Sequence, residues 1–169
     1  MNIAIDVNHY SIDNVYFGEP IKNAVIENGK FIRIFYSDDM MTLNGIYIKI
    51  DGDLKKMNDN DVERLLFIIR SIENSILDKI CIPNKTKVIK ICDYLMFNIN
   101  CNSNSSTNLF NSIGTSSNVN SSLNINNFKQ NSNIGKIHNL NKMLLKISGV
   151  WETTHEYGLT FKFVEINRQ

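Results

Sequence analysis

The sequence predicts an α+β fold: a mostly antiparallel β-sheet or OB-like barrel with one long helix and a disordered Asn/Ser-rich insertion. Three observations predict it. Isoleucine recurs at every second position in "FIRIFY" and "GIYIKI", the period of a strand with one buried face. Val62, Leu65, Ile69, Ile72, Ile76 and Ile80 recur instead at three- and four-residue spacing, the period of an amphipathic helix. Between Asp93 and Lys129 no residue is charged, and Asn and Ser predominate.

Taken in order, "NIAIDV" alternates Ile3, Ile5 and Val7 as a strand would. "IKNAVIENGKFIRIFYS" predicts a hairpin, with strands over 21–27 and 30–36 and a type I′ turn at Asn28-Gly29, since both residues tolerate positive φ. A third strand is expected over 43–50, ended by Asp51-Gly52. The helix follows over about 59–80. Asn58 to Asp61 supply capping oxygens and negative charge at its start, and Ile82-Pro83-Asn84 ends it. "TKVIKICDYLMFNI" predicts a further strand over about 87–98. Residues 100–138 cannot bury enough apolar area to offset the entropy of ordering them, and are expected to be a disordered insertion within one domain spanning 1–169. A closing hairpin is expected from strands 142–151 and 157–166 around a turn at 153–156. Strands, helix, strand and closing hairpin is also the chain order of an OB barrel.

Composition excludes several classes. Hydrophobic content of 43% and charged content of 21% suit a soluble domain. A net charge of +1 supplies no global field for nucleic acid or membrane. The charge is nevertheless uneven: acids exceed bases up to Asp93, and bases exceed acids from Lys129 on. The longest apolar run, "LLFII", is too short to span a bilayer, and the opening "MNIAIDVNHY" lacks the pattern of a signal peptide. Cys81, Cys92 and Cys101 form no CxxC pair and are expected as reduced thiols in a cytosol-like compartment.

No catalytic residue, cofactor site or metal site is expected. His9, His138 and His155 are far apart, and no nucleophile motif or phosphate loop occurs. The stronger signal is aromatic residues interleaved with cations on one strand face. If the isoleucines line the core, Phe31, Arg33, Phe35, Tyr47 and Lys49 share an outer face. Rings that stack on bases and cations that meet phosphates are the equipment of sequence-tolerant single-strand binders. The competing arrangement puts Phe31 and Phe35 under the helix. Lys79, Lys85, Lys87 and Lys90 form a second basic cluster after the helix, in which Lys85 and Lys87 point the same way on a strand; a solvated edge strand protected by lysines explains them equally well. Trp151, at a strand end, either caps the core or stands out as a stacking ring. Tyr157, Leu159, Phe161 and Phe163 share a face and are expected to close the core.

The stretches "GKFIRIFYSDDMMTLNGIYIKI", "ENSILDKI" and "LKISGVWETTHEYGLTFKF" resemble small proteins encoded by giant nucleocytoplasmic DNA viruses and their algal-virus relatives. That resemblance implies expression in host cytoplasm or a viral factory rather than a mechanism, and carries over no catalytic residue. The expected function is therefore non-enzymatic binding of single-stranded DNA or RNA, with no membrane partner. The alternative is a structural or scaffold protein, virion-associated, that forms a homo-oligomer through the Asn/Ser-rich stretch or an exposed strand edge.

Overall fold

The computed structural model describes residues 4–52, 56–102 and 142–165. Among these residues, nine strands and two α-helices build an α+β fold in which one mixed sheet carries both helices on one face. The strands are β1 (Ile5–Asp6), β2 (Val15–Phe17), β3 (Ile21–Lys22), β4 (Lys30–Ser37), β5 (Thr42–Leu43), β6 (Ile46–Asp51), β7 (Thr86–Val88), β8 (Lys142–Glu152) and β9 (Glu156–Glu165). The helices are α1 (Asp59–Ile80) and α2 (Ile91–Asn102). From residue 103 on, the Asn/Ser-rich stretch expected over 100–138 lies outside the described residues.

β8 is the axis of the sheet. Along one edge it pairs with β9. Along the other, residues 142–147 pair with β6 and residues 149–152 pair with β4, both antiparallel. The change of partner falls at an irregularity between Ile147 and Gly149. β2, β3 and β5 attach to β4 antiparallel, while β1 and β7 attach to β6 and β9 in parallel. The described sheet does not close on itself.

The isoleucine faces line the core, as the period-two pattern requires. Ile32, Ile34 and Tyr36 of β4 and Ile46, Ile48 and Ile50 of β6 are buried with Leu145, Ile147, Tyr157 and Leu159. Phe161 and Phe163 pack against this cluster, so the closing hairpin closes the core as expected. From α1 come Ile69, Ile72, Ile76 and Leu77. Burying each contributes about 1.5–3 kcal/mol. Asn58 caps the helix by accepting the Asp61 N–H at 2.9 Å, and Cys81 ends it in the left-handed region.

Several expectations are corrected. The strand expected over 87–98 is only β7, followed by α2. Ile91, Tyr94 and Leu95 form a buried helical stripe there, and the decisive partner comes from α1. The Glu73 carboxylate accepts the N–H of Lys90 at 2.9 Å and that of Ile91 at 3.2 Å, satisfying donors that a strand would have offered to a neighbour. The first hairpin strand stops at Lys22 instead of running to 27. The Asn23 side chain accepts the N–H groups of Val25 and Ile26, and residues 23–29 form a longer loop in place of the type I′ turn. Asn28 does adopt positive φ, at 56°. The strand expected over 43–50 is divided into β5 and β6 by Gly45, at φ 104°. The first strand is two residues long before a 3-10 turn over Val7–His9, and β2 was not anticipated.

Two outcomes follow from this packing. A Cβ at Gly45 would lie 2.7 Å from the Ile147 carbonyl oxygen and would be held at positive φ. Gly45→Ala should cost about 2–4 kcal/mol in urea unfolding; a loss under about 0.5 kcal/mol would show that the junction tolerates a side chain. Glu73 is 1% exposed, and burial raises its pKa above the usual carboxylate value against the opposing pull of the Lys90 and Ile91 N–H groups. Ionisation therefore favours the unfolded chain: the contribution is most stabilising below the unfolded carboxyl pKa and is lost as pH rises through the raised folded one. Glu73→Gln keeps an acceptor and cannot ionise. The difference in unfolding free energy between Glu73→Gln and wild type should shift in favour of the variant as pH rises above about 4.5.

Candidate nucleic-acid interface

The two helices cover the isoleucine face, and among the described residues no helix lies on the opposite face of β4, β6, β8 and β9. Alternation places Phe31, Arg33 and Phe35 there from β4, and Tyr47 and Lys49 from β6. The alternative in which Phe31 and Phe35 lie under the helix is thereby excluded. Trp151 lies on the same face, because Val150 beside it is fully buried and Phe31 is its cross-strand partner. Six of the eight sequence-selected residues therefore share one surface.

Three rows cross this face. In the first, Phe31, Trp151 and Gly158 stand opposite one another on β4, β8 and β9. In the second, Arg33, Gly149 and Thr160 do. In the third, Tyr47, Lys146 and Lys162 align on β6, β8 and β9.

The rings lie against glycines. A Cβ at Gly149 would fall 2.4 Å from Phe31 Cζ, and one at Gly158 would fall 2.7 Å from Trp151 Cζ2. A ring laid on a bare backbone replaces the missing side chain and turns one π-face outward. On Trp151 that outward face is occupied: the Lys90 ammonium stands 5.4 Å from the ring centre. Trp151 is thus neither core nor bare, but held between a glycine and a cation.

The cations differ in how they are held. Lys49 pairs with Asp51 at 2.8 Å and faces Asp6 across the β1–β6 ladder. Asp6 is itself held below the usual carboxylate range, chiefly by the Asn8 N–H. The Lys146 ammonium stands 4.9 Å from the Tyr47 ring centre. Arg33 and Lys162 are exposed, and among the described residues neither forms an ion pair.

Lys85 and Lys87 do point the same way, but on the other side. Lys87 is the register partner of Tyr157, a core-face residue, and its ammonium bonds to Asp78 of α1. That hydrogen bond is the main reason its pKa is raised. Lys85 bonds to the buried Glu152 carboxylate and to the Thr153 carbonyl, tying the approach to β7 to the β8–β9 turn. Both lysines are engaged in holding the fold and lie apart from the other six.

Lys90, Lys146 and Lys162 were not among the selected residues. The period-two pattern carries a signal for Lys146 and Lys162, since each alternates with buried residues of its own strand. Lys90 shows in the sequence only as part of the basic cluster after α1, because its approach to Trp151 depends on α2 starting where it does.

On the helix side, a shallow groove runs between the first 3-10 turns and α1. It is lined by Tyr10, Ser11, Ile12, Phe67, Ser71 and Ser75, among others. The Tyr10 hydroxyl there bonds to Ser75 at 3.3 Å, and burial pushes its pKa up to about 12. The described residues include no cluster of His, Cys, Asp or Glu able to hold a metal ion, and no described helix is long and apolar enough to cross a membrane. No family model, curated protein or solved structure matches the chain.

Trp151 is the single tryptophan, so its emission reports on this one spot. Lys90→Ala should increase quenching by acrylamide without changing the helical circular dichroism, because it uncovers the outward face of the indole. Unchanged quenching would mean that Lys90 does not shield the ring.

Proposed function

We propose that this face binds single-stranded nucleic acid without sequence preference and without catalysing a reaction. One observation carries the reading: the helices take the isoleucine face, and Phe31, Arg33, Phe35, Tyr47, Lys49 and Trp151 are together on the other. In this reading Phe31 and Trp151 stack on bases, and Arg33 meets the backbone. Base stacking contributes roughly 1–3 kcal/mol per ring. Lys49 contributes less than Arg33, since Asp51 already neutralises it. Lys90 leaves the indole when a base arrives, exchanging a contact of about 0.5–1 kcal/mol for a phosphate. The kinship with OB-type binders belongs to this proposal as well, and rests on chain order and on ring-and-cation chemistry. So does a viral setting in host cytoplasm or a viral factory, which rests on the resemblance of the three stretches.

A self-associating structural role is the second reading. It is favoured by β9, whose outer edge has no strand partner beyond Gly158 among the described residues.

Titrating single-stranded oligothymidylate should quench Trp151 emission, with affinity falling as salt rises. Phe31→Ala should weaken binding by roughly 5–150-fold, the equivalent of one lost stack. Arg33→Gln should lower the salt slope by about 0.7. Absence of both quenching and salt-dependent binding in a second assay, such as anisotropy of a labelled oligonucleotide, would sink the reading. Concentration-dependent light scattering without oligonucleotide binding would favour self-association.

A further inference from the structure

The geometry points to a discrete phosphoryl-binding seat on the open face, formed by Lys146 and Lys162 with Thr160 and Arg33 in the adjoining row. This inference deepens the proposed reading by assigning where the backbone of the ligand is held, and it uses residues that reading did not need.

Lys146 and Lys162 are direct cross-strand partners on the same face of β8 and β9. Like charges in that relation destabilise a sheet, and an acid opposite a lysine is the ordinary remedy. No described acid forms an ion pair with either lysine. Asp51 is engaged with Lys49, and Asp6 faces Lys49 as well. Two acidic side chains lie outside those described, Asp53 and Glu165. The third residue in the row is Tyr47, whose ring lies beside the Lys146 ammonium. Among the described side chains the row therefore concentrates positive charge and offers it no carboxylate.

The neighbouring row supplies the rest of the seat. Two residues before Lys162 on β9 is Thr160, on the same face, and across Gly149 from it is Arg33. Gly149 contributes no side chain between them, and the Phe31 ring that lies over it bounds the seat on that side. Its donors would be two ammonium groups, a hydroxyl and a guanidinium with no competing ion pair. That set matches an oxyanion with several oxygens. Phe31 and Trp151 border the seat in the row beyond, where a base attached to that phosphoryl group would lie. Edge protection by Lys162 alone explains a lysine on β9; it does not explain why Lys146 stands opposite it.

The phosphoryl group could belong to a nucleic-acid backbone or to a free polyphosphate, and the test separates the two. Inorganic tripolyphosphate should raise the melting temperature of the wild-type protein beyond sodium chloride of equal ionic strength. In the Lys146→Gln, Lys162→Gln double variant, tripolyphosphate affinity should fall at least tenfold, while the melting temperature at low salt stays equal or rises because the repulsion is gone. The exposed single variant Lys162→Gln should show a smaller loss of the same kind. An equal tripolyphosphate effect in wild type and double variant, or none in wild type, overturns the seat. Oligothymidylate is titrated in parallel. Oligonucleotide binding that the double variant leaves unchanged also overturns the seat while sparing single-strand binding. A tripolyphosphate effect lost in the double variant, with no oligonucleotide binding to wild type, upholds the seat for free polyphosphate and removes the nucleic-acid reading.

Discussion

One strand must serve two partners along the same edge, and everything else in the sheet depends on it. β8 is bound to β6 by its first half and to β4 by its second. Without it, β4 and β6 have no shared ladder, and the two isoleucine faces that α1 covers do not form one surface. The exchange of partners occurs where the β8–β9 register shifts, next to Gly149. Gly45 lies against the Ile147 carbonyl at the same place and lets the chain leave β5, on β4, for β6, on β8. Glycines gather there because the backbones pass too closely for a Cβ.

That junction also orders the open face. Because β6 and β4 follow one another along β8, Lys49, Tyr47, Arg33 and Phe31 form a column beside Leu144, Lys146, Gly149 and Trp151. Residues some hundred positions apart become neighbours. The helix side is fastened by two buried polar contacts: Glu73 on the start of α2, and Lys85 on Glu152. Each carboxylate is hydrogen-bonded, which offsets part of the desolvation it suffers; for Glu73 burial still outweighs the two N–H groups.

The two sides of the sheet therefore spend their charges differently. On the helix side Lys85 and Lys87 are paired with acids and hold elements together. On the open side Asp6 and Asp51 gather around Lys49, leaving Arg33, Lys146 and Lys162 with no ion pair among the described residues. Rings flattened on Gly149 and Gly158 lie beside those cations. In the proposed reading, these flat π-surfaces next to unneutralised cations meet a ligand that alternates rings with phosphates.

The sequence by itself determined the periodic elements. The isoleucine alternation located β4 and β6 and the face each buries, and the three-and-four spacing with Asn58 located α1. The closing hairpin was legible because Tyr157, Leu159, Phe161 and Phe163 alternate without interruption. Burial acts on periodicity, so periodicity reveals it. Tertiary structure decided whatever depended on a partner distant in the chain. The stretch after β7 is apolar enough for strand or helix, and the Glu73 carboxylate made it α2. Asn23 ended β3 early by taking N–H groups that a ladder would have used. Lys85 and Lys87 shared a direction as expected, but only the packing of α1 and of the β8–β9 turn showed that this direction led to Asp78 and Glu152. Trp151 was undecided between core and surface, because its environment consists of Gly158 on one strand and Lys90 before a helix. Local pattern encodes which face of an element is apolar; which elements meet, and which charges find partners, is settled when the chain closes on itself.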